Sequence, residues 1–130
     1  MKIHPGVRQV LAALTVILLL AAAFQGIAGG AQQLPQSGTI GQYVQSVAQL
    51  LYGVCAVFSI ATAVRWREYA APVQFVFIAG CVVAGGLAAV VWGGESLASG
   101  LVAAVVAFAI ACALVWMLRA AVIPLAKKEL

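Results

Sequence analysis

Long stretches without a charged residue are the feature that most constrains how this chain can fold. No Asp, Glu, Lys or Arg occurs between Arg8 and Arg65, between Glu68 and Glu95, or between Glu95 and Arg119. A helix that crosses a membrane needs about 20 apolar residues at a rise of about 1.5 Å each. Each of the two shorter stretches has room for one such helix, and the first has room for two helices and a loop. The pattern therefore predicts four spanning helices.

The composition supports this interpretation. Of the 130 residues, 65% are hydrophobic and only 8% are charged, whereas a soluble domain carries about 45–50% apolar and about 25% charged residues. Such a chain has too few polar side chains to cover the surface of a soluble domain, and its hydrophobicity excludes intrinsic disorder. We therefore expect an all-α integral membrane protein.

Turn-forming residues and charges divide the chain into helices. We predict one membrane domain, 1–130, folded as an antiparallel four-helix bundle with helices at about 8–28, 42–64, 71–93 and 97–119. A segment rich in Gly, Pro, Gln and Ser indicates an outer loop, and Arg-Trp-Arg-Glu interrupts the apolar sequence on the other side. The predicted connections are the outer loop 29–41, the basic inner loop 65–70 and the outer turn 93–96, followed by a tail at 120–130.

The basic residues all lie on one side of this arrangement. They precede the first helix, separate the second from the third and follow the fourth: Lys2, Arg8, Arg65, Arg67, Arg119, Lys127 and Lys128. Cytoplasmic loops of membrane proteins carry an excess of Lys and Arg. We therefore expect a multi-pass protein with both termini in the cytoplasm, and the richness in Ala, Gly and Val favours a bacterial inner membrane. The sequence has no basic stripe with interleaved aromatic residues, the pattern that would suggest a nucleic-acid partner.

The first segment has a second interpretation. Lys2 and Arg8, followed by the apolar run Val10–Ala23 and by Gly29-Gly30-Ala31, resemble a secretory signal peptide with a small-residue cleavage site. Cleavage would leave three spans and an external N-terminus. The four-span arrangement is preferred because it places every basic residue on one side, and cleavage stays the alternative.

Small residues recur at helical spacing on three of the predicted helices. In a lipid environment helices associate through close backbone approach, so such stripes indicate contacts. We expect contacts at Gly26, Gly30, Gly80, Cys81, Ala84, Gly85, Ala89, Ala103, Ala107 and Ala111. The stripes of the third and fourth helices are expected to face each other because a short turn joins them. The third helix carries two such faces, which favours an extra contact with a second copy or with another membrane subunit.

The second predicted helix carries polar residues on one face. Gln45, Gln49 and Tyr52 recur at spacings of four and three, which places them on one side of a helix. An amide in hydrocarbon is costly unless it is hydrogen-bonded, so this face should point into the bundle. There it either pairs helices or lines a polar cavity that opens outward. The cavity would be lined by Gln25, Gln45, Gln49 and Tyr52, with Trp92 and Glu95 at its rim.

The sequence contains no recognisable catalytic or metal-binding motif. Cys55, Cys81 and Cys112 have no C-x-x-C spacing, and the single histidine is His4 in the N-terminal tail, so we expect neither a metal nor a cofactor. The inventory of acids, bases and nucleophiles argues against an enzyme. We expect a non-catalytic accessory or structural subunit of a membrane complex or homo-oligomer. The alternative is a permease or a protein that binds a small molecule, lipid or quinone through the polar face of the second helix.

Overall fold

The computed structural model describes residues 4–125, and within them the chain forms four long helices and no strand. These are α1 (Pro5–Gln33), α2 (Ile40–Val64), α3 (Ala70–Leu87) and α4 (Leu97–Met117). Single 3₁₀ turns, Leu34–Gln36 and Arg67–Tyr69, precede α2 and α3, and π-helical segments, Ala88–Trp92 and Leu118–Val122, extend α3 and α4. All four helical units are long and apolar enough to span a membrane. The predicted number and type of elements are confirmed.

The first connection is shorter than the predicted loop 29–41. Helix α1 continues to Gln33, so only residues 34–39 join it to α2, because Gly29 and Gly30 serve packing here and do not end the helix. A Cβ atom on Gly30 would lie 2.7 Å from Cγ of Leu50 in α2. Helix α2 begins where the Thr39 hydroxyl accepts a hydrogen bond from the backbone N–H of Gln42 at 3.1 Å, an ordinary N-cap.

The fourth helix also exceeds its predicted bounds. It runs past residue 119 to Leu125, so the first half of the predicted tail 120–130 is helical. The reason is burial, because Ala121 and Val122 are inside the bundle. Residues 1–3 and 126–130, with Lys2, Lys127 and Lys128, lie outside the described residues.

The helices pack in chain order, and the bundle closes at one end. Each helix lies along the next, while α4 contacts α1 mainly through its π-helical segment Leu118–Val122. We call this the basic end, since it carries Arg8, Arg65, Arg67 and Arg119. The opposite end, with the connection 34–39 and the turn 93–96, is the distal end. Towards the distal end α1 and α4 make few contacts.

Glycines set the closest approach between α1 and α2. A Cβ atom on Gly26 would lie 2.7 Å from Cα of Gly53, and one on Gly53 would lie 2.7 Å from the backbone N of Ile27. The two backbones are therefore in direct contact, as small residues permit between membrane helices. The small residues expected at helix contacts included Gly26 but not Gly53, the residue against which Gly26 packs.

Helix α3 uses its two small-residue faces on two neighbours within the chain. A Cβ atom on Gly80 would lie 3.1 Å from Cβ of Tyr52 in α2, and one on Gly85 would lie 2.9 Å from Cβ of Ala107 in α4. The second face is thus occupied by α2. Of the remaining residues predicted at contacts, Ala84 and Ala111 are buried, Cys81 lines an internal cavity, and Ala89 and Ala103 border a surface groove.

Candidate ligand cavity

A cavity of about 460 Å³ lies inside the bundle, and all four helices contribute to its wall. Small-molecule sites in proteins typically occupy roughly 300–1,000 Å³ and combine an apolar wall with a few polar groups. The polar lining residues are Gln25 and Gln33 from α1 and Gln45, Gln49 and Tyr52 from α2. The apolar part of the wall includes Phe77, Cys81, Ile110 and Leu114. The structure therefore brings four of the six predicted site residues into one cavity.

Gln45 is the centre of the hydrogen-bond network along this wall. Its side chain is only 2% exposed. Its Nε2 donates to Gln49 Oε1 at 3.1 Å and to the carbonyl oxygen of Ala84 at 3.3 Å. Its Oε1 accepts a hydrogen bond from Trp92 Nε1 at 2.9 Å. The amide nitrogen and the amide oxygen of Gln45 are thus both hydrogen-bonded, and these bonds link α2 to α3.

Gln49 continues the network towards α1. Its Nε2 donates to the backbone carbonyl oxygen of Gln25 at 3.2 Å, and its Oε1 is the acceptor for Gln45. The Gln25 side chain is exposed while still lining the cavity. The polar face of α2 therefore forms interhelical hydrogen bonds and borders the cavity at the same time, which combines the two alternatives considered from the sequence.

The π-helical segment Ala88–Trp92 holds the network from the α3 side. The carbonyl oxygen of Val91 accepts a hydrogen bond from Gln42 Nε2 at 3.1 Å, next to the bond between Trp92 and Gln45. Short π-helical segments within α-helices occur frequently at functional sites. Nothing in the sequence predicted it, because the following Gly93-Gly94 indicates only that a helix ends.

The two residues predicted at the rim, Trp92 and Glu95, differ in their position relative to the cavity. Trp92 is not part of the lining and reaches it only through Gln45. Glu95 is exposed and borders a separate surface groove with Ser99 and Val102. The turn explains this position, because Gly94 adopts a left-handed φ of 66° and the Glu95 N–H donates to the carbonyl oxygen of Ala89 at 3.1 Å.

The lining carries no formal charge. It includes no Asp, Glu, Lys, Arg or His, and within residues 4–125 no three His, Cys, Asp or Glu side chains are grouped to hold a metal ion. Cys81, expected only to pack helices, is in the wall, whereas Cys55 is buried away from it. This wall can accommodate a neutral molecule, whereas a charged ligand would be buried without a partner of opposite charge.

A second polar contact, which the sequence did not reveal, lies at the basic end. Gln74 of α3 is 2% exposed, and its Oε1 accepts a hydrogen bond from Arg119 Nε at 2.7 Å. Its Nε2 is buried and has no partner among the described residues. The available signal was a single glutamine in an otherwise apolar helix.

Comparison of the chain with protein-family models, with characterised proteins and with solved structures finds no match. Its function is therefore inferred from the chemistry of the cavity.

Proposed function

We propose that this chain is an integral membrane protein that binds an uncharged small molecule in the central cavity. The observation that carries the proposal is the cavity itself. Its wall joins oriented glutamine amides and a tyrosine to apolar surface, and it includes no Asp, Glu, Lys, Arg or His that could neutralise a charged ligand. The proposed role requires binding only, with no catalytic group.

The outer surface supports a place in the bilayer. Large apolar side chains point outward from the helices, among them Phe24, Phe75 and Leu101, which are 77%, 73% and 68% exposed. An apolar surface of this extent requires lipid or protein to cover it. With the basic end in the cytoplasm, the distal end and the polar half of the cavity face the opposite side of the membrane.

The alternative as an accessory subunit rested on short loops, on the lack of catalytic groups and on the second small-residue face of α3. Helix α2 covers that face within the chain, so it no longer favours an extra partner, while the other two observations suit either proposal. A permease is also less favoured, because apolar packing around Ala63, Leu118 and Val122 closes the bundle towards the basic end. Binding with access from one side fits this geometry better than passage through the bundle.

Native mass spectrometry of the protein extracted gently from its own membrane tests the proposal. We expect the chain to carry a bound small molecule, and we expect Gln49→Leu to reduce the loaded fraction about tenfold by removing a polar group from the wall. Val47→Leu is the control, since Val47 lies on the exposed side of the same helix and not in the cavity. Release of unloaded protein together with other subunits would instead support the accessory interpretation.

Cysteine labelling supplies a second measurement that does not depend on Gln49→Leu folding. Variants keep one native cysteine and replace the other two by alanine. We expect N-ethylmaleimide to modify Cys81, which lines the cavity, and to leave Cys55, which is buried, unmodified in the folded protein. Equal protection of both thiols would contradict a cavity open to small molecules.

A further inference from the structure

We infer that the molecule in the cavity is a single-chain amphiphile with an uncharged, hydrogen-bond-donating head, and that it enters from the bilayer between α1 and α4. This inference rests on the proposed function and specifies its ligand class. It follows from where the cavity opens, how its polarity is distributed, how large it is and which polar group in its wall lacks a partner.

The cavity reaches the outer surface between α1 and α4. Both helices line it, yet they pack together mainly at the basic end. Two of the lining residues are also exposed on the outside, Gln25 on α1 and Ile110 on α4, the latter by 58%. A membrane-embedded bundle would therefore open sideways into lipid at this position.

Polarity changes along the depth of the bundle. The glutamines in the wall belong to the distal halves of their helices, with Gln33 at the last residue of α1 and Gln45 in the second turn of α2. The wall nearer the middle is apolar and includes Phe77 and Leu114. An amphiphile in the distal leaflet has the same arrangement, with its head at the interface and its chain towards the bilayer centre.

The volume limits the ligand to one chain. The cavity of about 460 Å³ equals about 15 water molecules at roughly 30 Å³ each. That space holds a small head and part of one alkyl chain, the remainder extending through the opening into lipid. The second chain of a two-chain lipid would have to stay outside the cavity.

The unpaired group in the wall defines the head. Gln45 is fully bonded and Gln49 bonds at both ends of its amide, but Gln33 Oε1 is buried without a donor among the described residues. An unpaired buried acceptor is unfavourable. As placed, this oxygen has no surface open to the cavity, but the Gln33 side chain lines the cavity, so a half-turn of its amide presents Oε1 to a ligand that donates. With no charge in the lining, the donor is an uncharged group such as a hydroxyl.

Photocrosslinking with defined lipids tests the inference. The protein is reconstituted in phosphatidylcholine liposomes with a monoacylglycerol that carries a diazirine in its chain, and the adducts are mapped by peptide mass spectrometry. We expect adducts on α4 between Ala107 and Leu114 that excess unlabelled monooleoylglycerol displaces. The probe of equal chain length with a methyl ester head, which cannot donate, should label these residues about fivefold to tenfold less.

Gln33→Leu and Gln32→Leu form the matched pair for the head group. Gln32 is the exposed neighbour and does not line the cavity. Gln33→Leu should reduce labelling by the monoacylglycerol to the level of the ester, and Gln32→Leu should leave it unchanged. Equal labelling by both heads, or by a two-chain diazirine lipid, would overturn the inferred ligand class. If Cys81 still reacts and the native protein still carries a bound molecule, that result leaves the proposed function standing, and if both are also absent the proposed function fails as well.

Discussion

Arg119 and Gln74 show how a single polar contact can be tested within an apolar bundle. Their hydrogen bond of 2.7 Å joins α3 to the end of α4, and Gln74 is buried. Arg119→Leu would leave the whole amide unpaired, so we expect the free energy of unfolding to fall by about 1–3 kcal/mol. Arg65→Leu, at an exposed arginine of the same end, should change it by less than about 0.5 kcal/mol. Denaturation in detergent followed by circular dichroism measures both.

The double variant distinguishes this contact from a general effect of charge. Replacing both partners of a hydrogen bond by apolar groups can be nearly neutral. Adding Gln74→Leu to Arg119→Leu should therefore restore most of the lost stability. If the two losses add, the residues do not act as a pair.

At the scale of the helix, the contact between Gly26 and Gly53 tolerates added side-chain volume less well than the apolar residues around it do. A Cβ atom on Gly26 would meet the backbone of Gly53 at 2.7 Å, and backbone atoms cannot rotate away. We expect Gly26→Ala to separate α1 from α2 and to cost about 1–3 kcal/mol, the usual range for overpacking. Thermal unfolding in detergent measures the loss.

Gly38→Ala is the control for this substitution. A Cβ atom there would meet nothing closer than Gln42 Oε1 at 3.7 Å, so its effect should stay within about 0.5 kcal/mol. An equal effect of the two substitutions would show that α1 and α2 are not in backbone contact.

The helices could be predicted from the sequence to different degrees. Four long helices follow from the uncharged stretches, because only apolar helices of that length satisfy their own backbone in a membrane. The end of α1 could not be predicted, because Gly29 and Gly30 indicate a turn in the sequence and close packing in the structure. The π-helical segment Ala88–Trp92 depends on contacts with α2 that are distant along the chain.

The cavity was predictable only in part for the same reason. Helical spacing places Gln45, Gln49 and Tyr52 on one face of α2, and all three residues line the cavity. Glu95 lies at a separate groove and not in this wall, because the turn at Gly94 decides where the following residue points. Gln33 was assigned to a loop, although the extension of α1 brings it into the wall.

For the whole molecule, the orientation in the membrane is the prediction on which the place of the cavity depends. A cysteine-free background receives one cysteine at the distal end, Gln36→Cys, or at the basic end, Glu68→Cys, both at exposed positions. With basic residues in the cytoplasm, a membrane-impermeant maleimide should label only the first in intact cells and only the second in inverted vesicles. The opposite result would place the glutamine-lined half of the cavity at the cytoplasmic leaflet. An amphiphile would then have to come from that leaflet, because the opening between α1 and α4 lies in the distal half of the bundle.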